Sequence, residues 1–173
     1  MPVFFTADTH FGHGGALGLF KRPFASVRAM DEAMVARWNE VVGEPDEVWH
    51  LGDFAVHQPA GRIDALLGAL AGRKHLILGN NDSVETAELR GWASVQGYAE
   101  IEVDRTPLVL CHYPFRSWNG QARGALDLHG HSHGRLTPLA RQLDVGVDVW
   151  DFRPVTLDEI RSRLRQRSRR AGG

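Results

Sequence analysis

Seven side chains able to hold a metal ion stand just past apolar runs of this 173-residue chain. Asp8 and His10 follow "VFFTA", Asp53 follows "EVWHLG" and Asn80 follows "HLILG". His112 ends "LVLCH", and His131 and His133 lie in "HGHSH". In an open α/β sheet the carboxyl ends of the strands form the edge where ligands bind, so donors from five separate runs are expected on one rim. Asp8 with His10, and His131 with His133, are two apart and share a face of an extended segment. Taken singly, an Asp after a strand is a turn residue and a histidine near the core is a hydrogen-bonding group. Seven oxygen and nitrogen donors along one edge call for a common cause.

Seven donors are too many for one tetrahedral zinc, and they lack the thiolates of a structural site. They suit two ions. Mixed carboxylate, amide and imidazole ligation points to divalent or trivalent manganese, iron, zinc or cobalt, without choosing among the four, and away from calcium and magnesium. If one carboxylate bridges the pair, most economically Asp53, the ions can lie ~3.5–4 Å apart and share a hydroxide that attacks a phosphoryl group. Two carboxylates against two dications leave a charge of about +2 before that hydroxide, which favours an anionic phosphate ester over a neutral one.

The elements that must position these donors follow from periodicity. Strand-like runs fall at 3–7, 47–51, 75–78, 98–103, 108–112, 125–130 and 142–149. Val27, Met30, Met34, Trp38 and Val41 recur at helical spacing behind Ser26, a natural N-cap. Ile63, Leu66, Leu67 and Leu70 do the same within 60–71, and a shorter helix is expected from Ser83 to Arg90. Thr156 and Glu159 form a capping box that opens a last helix. Strand and helix alternate in the first half, which implies parallel pairing; the close-set strands after residue 97 imply antiparallel pairing. The fold class is α/β.

The composition, 43% hydrophobic and 24% charged with a net charge of −1, is that of a globular domain without a global field to draw nucleic acid or a membrane. No basic n-region or long apolar span is visible near the start, so a cytoplasmic location is the default expectation. Cys111 is the single cysteine and reads as a small buried hydrophobe. One domain is expected over 1–160, followed by a basic tail over 161–173 that carries six arginines between 161 and 170. A charge run at a terminus reads first as a solvated end, with nucleic-acid contact as the alternative.

The blocks "DTH", "GD", "GNND", "CHYP" and "HGHSH", in this order, resemble those of the calcineurin-like metallophosphoesterases, specifically the small bacterial members. "DVGVDVWDFRPVTLDEI" (144–160) is similar to the end of those small members. The resemblance implies a four-layer αββα sandwich of mixed sheets flanked by helices. It also implies one ion among Asp8, His10, Asp53 and His133, and a second among Asp53, Asn80, His112 and His131. Asn81 stands where most members carry a histidine that protonates the leaving group. An amide cannot do so near neutral pH, which shifts the expected substrate toward phosphodiesters or activated phosphomonoesters. His13 and His57 are the candidate replacements, and Asp82 is expected to orient the turn or meet a ligand. His50, His75 and His129 read as structural groups or groups that orient ligands. Arg116, Trp118 and Asn119 are candidate substrate contacts. Two rivals remain open: a metal-binding protein without turnover, and a nucleic-acid-acting phosphoesterase that uses the arginine-rich tail.

Overall fold

The computed structural model describes residues 1–171, so residues 172–173, together with the side chains of 170 and 171, lie outside the described part of the predicted tail. Strands β1 (Val3–Thr6), β2 (Glu47–His50), β3 (Arg73–Ile77) and β4 (Trp92–Gln96) are parallel. Each reaches the next through a crossover bearing helix: α1 (Gly14–Leu19) and α2 (Val27–Val41), then α3 (Ala60–Ala69), then α4 (Val84–Ala87). Ser26 caps α2 as expected, its hydroxyl accepting from the Ala29 N–H at 3.1 Å. A second sheet contains β5 (Ala99–Val103), β6 (Thr106–Leu110), β7 (Leu126–His129) and β8 (Gln142–Asp144) in that spatial order. The short β9 (Val155–Thr156) returns antiparallel to β1 and leads into α5 (Leu157–Ala171).

Period-two alternation divides the apolar residues between two cores. Phe4, Val48 and Leu76 face Met30, Met34 and Trp38 of α2 and Ile63 and Leu67 of α3. Phe5, Trp49 and Ile77 face Leu108, Leu110, Leu126 and Leu128 of the second sheet. Each such side chain, fully buried, stabilises the fold by roughly 1.5–3 kcal/mol. Two mixed sheets lie face to face and are flanked by helices, as the sequence implied. The layer outside the second sheet is thin: Phe115, Trp118 and Ala125 from the segment 111–125 pack on Val109.

Several elements differ from expectation. Only β5 and β6 pair antiparallel; β6, β7 and β8 are parallel, because the segments 111–125 and 130–141 are long enough to cross over without a helix. The run 142–149 is a strand only to Asp144, after which Val147–Val149 form a 3₁₀ turn. Strand β4 and helix α1 carried too little periodicity to be recognised, and α4 stops at Ala87. Helix α5 passes residue 160 without a break. Leu164 packs against the inter-sheet core, Arg161 donates to the Asp104 carbonyl, Arg163 to the Val149 carbonyl, and Arg167 to the Gln142 carbonyl. The Arg163 guanidinium also lies 3.3 Å from the centroid of the Trp150 ring. Among the described residues no helix is long and apolar enough to cross a membrane.

Candidate metal centre

The site begins where β1 and β2 end. Their parallel pairing continues into the loops: Asp8 N–H donates to the Gly52 carbonyl at 2.9 Å, His10 N–H to Asp53 at 3.0 Å and Phe11 N–H to Phe54 at 2.9 Å. Asp8, His10, Asp53, His131 and His133 all adopt left-handed backbone, with φ between 46° and 64°. Such conformations are uncommon outside glycine and collect at functional sites. Gly52, at φ 95°, lies so close to its neighbours that a Cβ would stand 2.5 Å from His112 Nδ1 and 2.7 Å from the Gly79 backbone. Only glycine lets the three loops meet there.

The ligand atoms converge on two carboxylates. Asp8 and Asp53 are buried, and Asp53 Oδ2 lies 3.4 Å from His10 Nε2 and 3.6 Å from His112 Nε2. Asp8 Oδ1 lies 3.9 Å from both His10 Nε2 and His133 Nε2. Two groups are compact enough to hold an ion: Asp8 with His10 and His133, and Asp8 with Asp53 and His112. Asn80 Oδ1 is 3.1 Å from His112 Nε2. The His131 ring sits 5.2 Å from the His112 ring, exposed beside Tyr113, while its backbone N–H donates to the Asp8 carboxylate.

The tautomers make these distances informative. His112 Nδ1 lies 2.8 Å from the Leu51 carbonyl, which can only accept, so the ring hydrogen is at Nδ1 and a lone pair at Nε2 faces Asn80 Oδ1 and Asp53. His133 Nδ1 likewise donates to Asp148 Oδ2 at 2.7 Å, leaving its Nε2 toward Asp8. His10 Nε2 is buried without a hydrogen-bond partner. Lone pairs therefore face carboxylate and amide oxygens across separations of 3.1–3.9 Å, those of atoms each about 2 Å from a shared cation. The donor set fits transition-metal ions.

The charge balance agrees. Burial, with the nearby charges of Asp144, Asp53 and Asp148, pushes the Asp8 carboxyl well above its ordinary range. Burial also acts to raise Asp53, but the adjacent His10 and His112 rings and the two hydrogen bonds from Asn81 hold it well below that range. The imidazoles of His10 and His131 are pushed down, by burial first. Neutral imidazoles beside crowded carboxylates suit metal ligation.

A supporting frame fixes the ligands, and much of it was not evident from sequence. Arg22, 4% exposed, donates to both Asp148 oxygens at 2.8 Å, to the Asp8 carbonyl at 2.6 Å and to the Thr9 carbonyl at 2.8 Å. Asp148 in turn orients His133, whose other side stacks on Phe20 at 3.5 Å. Arg22 lies in "FKRPF", a stretch with no period, and Asp148 was hidden in a run read as strand. Asp82 accepts from the backbone N–H groups of Asp53, Phe54 and Gly79, each at 2.8 Å, and so holds the turn. Asn81 donates its backbone N–H to Asp53 Oδ1 at 2.8 Å and its side-chain amide to Oδ2 at 2.7 Å. His13 Nδ1 meets His10 Nδ1 at 3.2 Å.

Other predicted groups lie apart. Trp118 is buried on Val109 and donates to the Ala125 carbonyl at 3.0 Å; Asn119 donates to Glu100 at 2.8 Å. Arg116 is exposed, and among the described residues none of the three bonds to a ligand-bearing group. His50 bonds Thr9 at 3.0 Å, and burial drives its imidazole down to about 3. His75 stacks on Trp49, and His129 Nδ1 faces the Gly130 carbonyl. Cys111 is buried, and burial pushes its thiol up.

A family model described as the calcineurin-like phosphoesterase superfamily domain matches residues 1–145. The chain belongs to the calcineurin-like phosphoesterase superfamily. Its members are metal-dependent and act on phosphate esters, which agrees with the donor set above. An uncharacterized protein of Methanocaldococcus jannaschii is 29% identical over 166 residues, covering 91% of this chain and 88% of its own. The gene 66 protein of Mycobacterium phage L5 is 30% identical over 191 aligned residues, covering 91% of each chain. The crystal structure of a protein of unknown function from Aquifex aeolicus superimposes with a TM-score of 0.77 at 23% identity, covering 93% of this phosphoesterase-family chain and 98% of its own, and shares the fold.

Proposed function

We propose that this chain holds two transition-metal ions and hydrolyses a phosphodiester or an activated phosphomonoester. Asp8, His10, Asp53 and His133 would hold one ion, and Asp53, Asn80, His112 and His131 the other. The observation that carries this reading is the position of Asp53 Oδ2, 3.4 Å from His10 Nε2 and 3.6 Å from His112 Nε2. Asp8 is near both groups, but Asp53 faces both imidazoles through one oxygen, which supports it as the shared ligand. When bound, such a pair lowers the pKa of a water molecule and offsets charge on a phosphoryl group. Manganese is the first ion to test, then iron, zinc and cobalt.

The chain's own groups set the stage for that chemistry. Asn81 fixes both oxygens of Asp53 and has no proton to give. Asp82 holds the Asp53 loop, and His13 Nδ1 lies 3.2 Å from His10 Nδ1, so both act by positioning. Tyr113, half-exposed against the His112 and His131 rings, offers an aromatic wall beside the ions. One rival keeps an observation of its own: the Asn81 amide sits on the very oxygen that would bridge, which would suit a metal-binding protein without turnover. A nucleic-acid substrate would draw on Arg165 and Arg169, which stay exposed while their neighbours on α5 bind the body of the fold.

Hydrolysis of bis(p-nitrophenyl) phosphate under each candidate ion separates these readings. Release of p-nitrophenolate that requires the metal is expected. Saturable metal binding with no release under any of the four ions would leave the non-enzymatic reading in its place.

A further inference from the structure

A biological phosphodiester expels an alkoxide, and a positioned acid speeds such a step roughly 10²–10⁴-fold. With an amide at position 81, the proton must come from elsewhere. A cavity of about 580 Å³ opens beside the metal centre between the loop 55–60 and the turn 80–85, with Asn80 and Asn81 on one side and His57 on the other. Its other titratable lining groups are Asp82 and Glu85. Asp82 is committed to three backbone N–H groups. Glu85 is exposed, and hydrogen bonds from its own backbone and Ser83 hold it below the usual carboxylate range, so it has no proton to lend.

His13 is the remaining candidate, and it does not line this cavity. Its Nδ1 is turned to His10 Nδ1 at 3.2 Å, where one ring donates and the other accepts.

We infer that His57 is the general acid of this site, an inference that rests on the phosphoesterase reading. An oxygen from water bonds to phosphorus as that water gives up a proton to solvent, and the bond from phosphorus to the leaving oxygen breaks with its electron pair moving to that oxygen. The His57 N–H proton joins it. The neutral ring, exposed on a left-handed backbone position at φ 54°, regains a proton from solvent.

The test compares two diesters under the ion that supports turnover: thymidine 5′-(p-nitrophenyl) phosphate, which loses a good leaving group, and the dinucleotide thymidylyl-thymidine, which loses an alkoxide. His57→Gln should slow the dinucleotide about 10²–10³-fold and the p-nitrophenyl ester far less. Adding Asn81→His to that variant should restore most of the lost dinucleotide rate, because a donor returns beside Asp53. The alkaline limb of dinucleotide cleavage should be absent from His57→Gln. An equal fall on both esters, no fall on the dinucleotide, or an alkaline limb that survives in His57→Gln would overturn the assignment. A wild-type protein inactive on the p-nitrophenyl ester would instead overturn the phosphoesterase reading, and this assignment with it.

Discussion

Replacing Asp53 with Asn should lower the affinity for manganese, and the rate of diester hydrolysis, by more than about 100-fold while leaving the metal-free fold intact. Loss of a group that merely orients a ligand commonly costs 10–100-fold in metal affinity, and Asp53 is placed as a ligand to both ions, so its loss should exceed that range. The fold should survive for an electrostatic reason. Without metal, the charge of Asp53 is one of those that, after burial and Asp144, push the Asp8 carboxyl up. Neutralising Asp53 relieves that repulsion and offsets the weakened bonds from Asn81. Titration calorimetry and thermal melting of the same sample check both halves. Unchanged metal affinity would remove Asp53 from the centre, and an unfolded variant would show that its charge is structural.

The second large effect is on stability. Arg22→Met should destabilise the protein by roughly 3–5 kcal/mol, because it strands the buried Asp148 carboxylate and leaves the Asp8 and Thr9 carbonyls without a donor. For a chain of this size that corresponds to a melting point roughly 10 °C lower. Arg22→Lys should recover only part of the loss, since an ammonium cannot span four acceptors in a plane. Pairing Arg22→Met with Asp148→Asn should cost less than the sum of the single changes, because no lone charge is left behind. Additive losses in denaturant unfolding would mean that water already screens the pair.

Much of the site was legible because strand termini concentrate chemistry. Asp8, Asp53, Asn80 and His112 each follow an apolar run whose end is visible in the sequence, and the sheet then brings those ends together. The supporting frame was not legible for the opposite reason. Arg22 reaches Asp148 across 126 positions, and no local pattern announces a contact between two loops. Trp118 shows the limit of reading by neighbourhood: it closely follows a ligand, yet it turns away to cover Val109. In the second sheet the spacing between apolar runs was readable, but a segment such as 111–125 can return as a hairpin or cross over, and only packing against the first sheet decides. The arginines of α5 looked like a solvated end because charge dominates their composition. Leu157, Ile160 and Leu164 nonetheless give that helix an apolar stripe, which packs against the inter-sheet core.

The central claim is met most directly by counting ions. Crystals or solutions of the wild-type chain saturated with manganese, assayed by anomalous scattering or elemental analysis, should contain two ions per chain, with Asp53 in contact with both. A single ion at saturation, or an Asp53 that touches only one of two, would contradict the account.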